Sequence, residues 1–104
     1  MKKKPNLQKK LRDIEQERVD AAHKANQEIY ENATGQRKTV LENVKMSELY
    51  NADGSFNDAA YNETVELLEG IGGSDLVQVF KQLASEMQKN SQVYLEGTEN
   101  IRNL

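Results

Sequence analysis

Residues 74–104 read SDLVQVFKQLASEMQKNSQVYLEGTENIRNL. Leu76, Phe80, Leu83, Met87, Asn90, Tyr94, Gly97, Ile101 and Leu104 follow one another here at alternating steps of 4 and 3. That spacing gathers side chains on one stripe of a helix, the heptad seam by which helices pair. Asn90 and Gly97 interrupt an otherwise apolar line. A polar residue at a seam position costs stability and fixes register or partner, and a glycine leaves a hole for a facing side chain. The seam has two readings. Either it packs against another helix of the same chain, or Leu76, Phe80, Leu83, Met87, Asn90, Tyr94 and Ile101 meet a partner helix.

Upstream, Leu7, Leu11, Ile14, Arg18, Ala22, Ala25, Ile29 and Ala33 recur at steps of 3 and 4 among Gln, Glu, Lys and Arg. These are good helix formers, and the pattern predicts a helix with one apolar face. Val40, Leu41, Val44, Met46 and Leu49 extend it, giving a long first helix over 6–50. At Gly35 the helix is either bent or divided in two, because a glycine serves equally as a helix end and as a tolerated interior residue. Asp53-Gly54 is a strong turn signal. Ser55 followed by Asp58 resembles a capping box, and a short helix is expected over 56–69. Three glycines in the stretch Gly70-Ile71-Gly72-Gly73 predict its end, with the seam helix following over 74–103. No useful length alternates with period two. The expected fold is all-α: a single domain, an elongated antiparallel hairpin or a small bundle of three to four helices.

With 37% hydrophobic residues and no Trp, the chain is poorer in apolar side chains than a compact domain, which has about 45–50%. An elongated helical shape tolerates this, because each helix buries only one stripe. The charge is divided. Residues 1–12 hold Lys2, Lys3, Lys4, Lys9, Lys10 and Arg12 and no acid, whereas Met46 to Phe80 hold seven acids and no Lys or Arg. The net charge of −3 hides a basic head and an acidic waist. The head is a candidate for binding anions, whether nucleic acid phosphates or an anionic membrane surface. It lacks aromatic residues on which bases could stack. The waist is a candidate mimic of nucleic acid.

Chemistry-bearing constellations are sparse. There is no Cys, and His23 is the only histidine, so no zinc set is expected. Read as a calcium loop around Gly54, the turn puts Leu49 and Ala60 where carboxylate ligands are required. The glycine run lacks the Gly-Lys-Ser/Thr ending of a phosphate loop. No catalytic residue, cofactor or metal is expected. No apolar run approaches the roughly 20 residues that span a bilayer, and no apolar stretch follows the basic start as in a secretory signal. The expected location is cytoplasmic, with export by a route that reads folded helices left open.

A Cys-free helical chain of this size, with a glycine break before a C-terminal amphipathic helix, resembles in layout the small helical partners of bacterial type VII secretion. These are the WXG-type proteins and the accessory proteins of LXG toxins. The Trp-x-Gly turn of that family is absent, and Tyr94 is followed four residues on by Thr98 instead of an acid, so no family residue carries over. The resemblance implies a helical hairpin that binds a toxin's helical domain and helps direct it to export. The expected function is thus a non-enzymatic adaptor or targeting accessory working through its seam. The alternatives are a nucleic-acid-associated or antitoxin-like regulator using the basic head, and an acidic inhibitor.

Overall fold

A computed structural model describes residues 7–104; the basic start over 1–5, with Lys2, Lys3 and Lys4, lies outside the described residues. The protein is all-α. Helix α1 spans Leu7–Glu31, α2 spans Gly35–Asn43, a 3-10 turn covers Met46–Leu49, and α3 spans Asp58–Arg102. The principal extents are 69 × 27 × 15 Å. The long arm of α3, residues 74–102, packs antiparallel to α1: Glu15 bonds Asn100, and Asn26 bonds Asn90.

The first helix expected over 6–50 is two α-helices and a 3-10 turn. Gly35 takes φ 58°, a left-handed value that only glycine adopts without a Cβ penalty. The second break lies at Val44 and Lys45, whose backbone is extended. Its cause is the core. Val40, Val44, Met46 and Leu49 are all buried, but on a continuous helix Met46 would point about 200° away from Val44. Two extended residues turn both inward.

The next turn also departs from expectation. Ser55 does not cap the following helix, because Asp53 Oδ1 accepts hydrogen bonds from the Ser55 amide at 3.0 Å and from its hydroxyl at 2.6 Å. Phe56 is held in an antiparallel bridge with Tyr50. The helix therefore begins at Asp58, and Asn57 caps it by accepting from the Ala60 amide at 3.2 Å.

The glycine run does not end this helix at Gly70. Helix continues through Gly72, and Gly73 alone breaks it, at φ 73° and ψ −162°. Gly72 has no room for a side chain: a Cβ there would lie 2.8 Å from Leu76 Cδ2. The short arm, 58–72, thereby folds back on the long arm. The Tyr61 and Phe80 ring centroids are 5.1 Å apart, and Leu68 joins Leu76, Val77 and Phe80 in the core.

Candidate helix-binding surface

The seam is the first place to look for a partner, and the structure fills it from within. Leu76, Phe80, Leu83 and Met87 are buried against Val40, Val44, Met46, Leu49 and Leu68 of the same chain. Further along, the seam meets α1. Asn90 Nδ2 donates to Asn26 Oδ1 at 2.9 Å. The His23 ring stacks on Tyr94, with centroids 4.1 Å apart and planes 15° from parallel. Gly97 receives Val19, whose Cγ2 lies 2.6 Å from where a Cβ would stand. Ile101 and Leu104 are half-buried. Of the two readings, the structure realises the intramolecular one. A partner helix using Leu76, Phe80, Leu83 or Met87 would first have to displace the chain's own core.

Packing against Gly97 and Asn90 sets the rotation of α1, and it differs from the apolar stripe read in the sequence. The inward positions are Glu15, Val19, Ala22, Asn26 and Ile29. Leu7, Leu11 and Ile14 stay 67%, 43% and 55% exposed. At about 100° per residue, Leu7, Leu11, Ile14, Arg18, Ala21 and Ala25 form one continuous stripe on the flank of α1. Opposite its second half stand Val93 and Asn90 of α3, and the space between is a shallow cleft lined by Arg18, Ala21, Ala22, Ala25, Asn90 and Val93. An adjoining cleft continues along Glu28, Ile29 and Asn32. It ends where Arg37 meets Glu86 at 3.0 Å. Together they form an open groove between two antiparallel helices. Ala21, Ala22, Ala25, Ile29 and Val93 line it together with the polar Arg18, Glu28, Asn32, Arg37, Glu86 and Asn90; Leu7, Leu11 and Ile14 lie beyond its Arg18 end on the same flank of α1.

Sequence reasoning identified Leu7, Leu11 and Ile14 as apolar positions but assigned them to the inward face. It missed Ala21 and Val93. The available signal was the Glu15–Val19–Ala22–Asn26–Ile29 series, which shares Ala22 and Ile29 with the stripe read in the sequence and stands one residue on from it at Glu15, Val19 and Asn26.

The basic head is dispersed. Lys9, Lys10 and Arg12 are exposed on the first turns of α1, and their spacing places them at three different angles around the helix. The acids of the waist are spread over the short arm and the preceding loop. Glu63, Glu66 and Glu69 are exposed, and none appears in an ion pair among the described residues. Beside them Leu67 and Ile71 are each 50% exposed.

The titratable groups that shift do so for structural reasons. Hydrogen bonds from the Ser55 hydroxyl and amide hold the Asp53 carboxyl below its ordinary range. Burial pushes the Tyr50 hydroxyl up, and that hydroxyl donates to the Ala84 carbonyl at 2.8 Å. Among the described residues no three His, Cys, Asp or Glu side chains gather as a metal site would require. No helix among them is long and apolar enough to cross a membrane. No family model, curated protein or solved structure matches the chain.

Proposed function

We propose that this chain is a non-enzymatic helical adaptor or targeting accessory that binds an amphipathic helix of a partner protein. The single observation behind the reading is the exposed row of Leu7, Leu11 and Ile14, continued along α1 by Ala21. Ala21 and the half-buried Ala25 lie in the cleft beside Val93, on a hairpin whose own seam is already filled. Two antiparallel helices with an open groove are two-thirds of a three-helix bundle. A third helix brings apolar side chains at 3-4 spacing into that groove. Ala21 and Ala25 let its backbone approach closely. Each Leu or Ile of the stripe that becomes well buried contributes roughly 1.5–3 kcal/mol. Arg18, held by Glu15 at 3.0 Å, interrupts the stripe and selects for a partner with an acceptor at that level. The specific form implied by the layout resemblance is an accessory that escorts a secreted toxin.

The test places a photo-crosslinking residue at position 14 or 21 in cells that natively express the chain, with position 27 on the polar face as control. One discrete protein adduct at 14 and 21, absent at 27, is the expected result. The adduct at 21 should disappear in Leu11→Asp, while circular dichroism shows that variant as helical as the parent. Equal labelling at all three positions, or an adduct indifferent to Leu11→Asp, overturns the reading.

A further inference from the structure

One face of the long arm of α3 carries hydrogen-bond donors that no other described residue uses. Lys81, Ser85 and Lys89 follow one another at steps of four, which sets them in one column of the helix. Ser85, the short residue in the middle, leaves a saddle between two long cationic side chains whose Cα atoms are about 12 Å apart. Arg37 of α2 closes one side, and Gln82 and Glu86 complete the lining of the cleft. Lys81 and Lys89 are exposed, and neither is in an ion pair among the described residues. The Ser85 hydroxyl makes no hydrogen bond among them either. Those of Thr64, Ser91 and Thr98 on the same helix donate to the carbonyl one turn back. From Leu76 to Leu95 the sole acid is Glu86, and Arg37 holds it at 3.0 Å. Glu28 lines the adjoining cleft and not this one, and lies 4.0 Å from Lys24.

We propose that this cleft binds a phosphate group, seated over Ser85 between Lys81, Lys89 and Arg37. Three cations and one acid leave the lining a net charge of +2, in a chain whose net charge is −3. A phosphate monoester carries about 1.5 to 2 negative charges near neutral pH, so it balances the lining. A single carboxylate leaves half of that charge unmatched. The donors support the same class. Two ammonium groups, a guanidinium, a hydroxyl and the Gln82 amide surround the saddle, which suits an acceptor with several oxygens. The lysines serve as mobile point charges, whereas a planar carboxylate matches one guanidinium fork. Glu86 already fills that part for Arg37. Glu86 is also the one charge that opposes the ligand. The cleft is open, so the phosphate can be free or borne on something larger. The site does not rest on the partner-helix reading, because none of its side chains belongs to α1.

The experiment follows the backbone amide resonances of the full chain while inorganic phosphate is added at low ionic strength, with acetate as control. Saturable shifts centred on Arg37 and on Lys81 to Lys89 are the expected result, with acetate bound about fivefold more weakly or less. Lys81→Gln with Lys89→Gln weakens phosphate binding about tenfold or more, and added salt weakens it in the parent. Glu86→Gln keeps an acceptor for Arg37 but removes the opposing charge, so it strengthens binding about threefold. All three positions are exposed, and unchanged circular dichroism shows that the variants keep the parent's fold. Shifts that do not saturate, that persist in the double variant, or that centre on Lys9, Lys10 and Arg12 overturn the proposal. So does acetate bound as tightly as phosphate. An oligonucleotide held through Lys81 and Lys89 where inorganic phosphate is not also overturns it, and assigns the cleft to a polymer. Vesicles of phosphatidic acid in phosphatidylcholine separate two sources of the same group. Vesicle binding lost in the double variant places the phosphate on a lipid, and phosphate binding without vesicle binding places it on a soluble molecule. The crosslinking experiment stands or falls separately, by its own adduct on α1.

Discussion

Asn90 Nδ2 donates to Asn26 Oδ1 at 2.9 Å across 64 positions of sequence, joining the middle of α3 to the middle of α1. Both side chains are half-buried. On either side the contacts are apolar or aromatic: Met87 before it, and the His23–Tyr94 stack and the Val19–Gly97 contact after it. A polar pair at this place penalises every sliding of one helix along the other, because a shift by one turn separates the two amides. The pair sets the register, and the register decides which face of α1 stays outside.

Removing one amide exposes that role. Asn90→Ala is expected to cost about 1 kcal/mol of unfolding free energy in urea, the ordinary net worth of a hydrogen bond. A double-mutant cycle with Asn26→Ala should give a coupling of about 0.5 kcal/mol or more. Strict additivity would mean that the bond does not contribute.

Gly97→Ala tests the closest approach of the hairpin. An added Cβ would lie 2.6 Å from Val19 Cγ2 and 3.3 Å from Glu15 Oε2, so the helices must part or Val19 must turn. The expected loss is about 1–3 kcal/mol, read as a lowered thermal midpoint. Val19→Ala in the same chain should recover part of it.

The glycine run supplies a pair of opposite effects. Gly73 sits at φ 73°, and an alanine there is expected to destabilise by about 1 kcal/mol or more. Gly70 is helical, and a Cβ added to it would meet open space, so Gly70→Ala should stabilise by about 0.4–1 kcal/mol. Thermal melts of the two variants should move in opposite directions.

Phe80 and Leu83 are fully buried. Phe80→Ala is expected to cost about 3–5 kcal/mol. Leu83→Asp, which would bury an unpaired charge, should abolish the helical signal in circular dichroism altogether. Partner-binding tests therefore belong at Leu11 and Ile14, where a change leaves the core intact.

Asp53 carries a pH dependence whose sign follows from its two hydrogen bonds to Ser55. The folded pKa lies below the unfolded one. Its contribution is thus fully present above the unfolded value and is lost as pH falls through the folded value. Asp53→Asn should narrow the difference in stability between neutral pH and pH below about 4. An acid limb identical to the parent's would show that the turn contributes nothing to it.

Much of the fold was legible in local pattern. The 3-4 spacing from Leu76 to Leu104 marks a helix because burial of one face requires that period whatever the partner. Asp53-Gly54 marks a turn because of backbone sterics alone. Non-local matters were not legible. The extended pair at Val44 and Lys45 answers to the core, where Val44 and Met46 join Leu68, Leu76 and Phe80 from far away in sequence. The start of α3 at Asp58 was missed for a local reason, because Asp53 takes up Ser55 and leaves the cap to Asn57.

The sequence by itself determined the helical class, the seam and the division of charge, since periodicity and composition are properties of each segment. Only the tertiary structure decided that the seam is filled from within and that Leu7, Leu11 and Ile14 remain outside. Two stripes of equal spacing run along α1, one residue out of phase. Local physics does not choose between them. The choice falls to Gly97 receiving Val19 and to Asn90 meeting Asn26, contacts that exist only once α3 has folded back along α1.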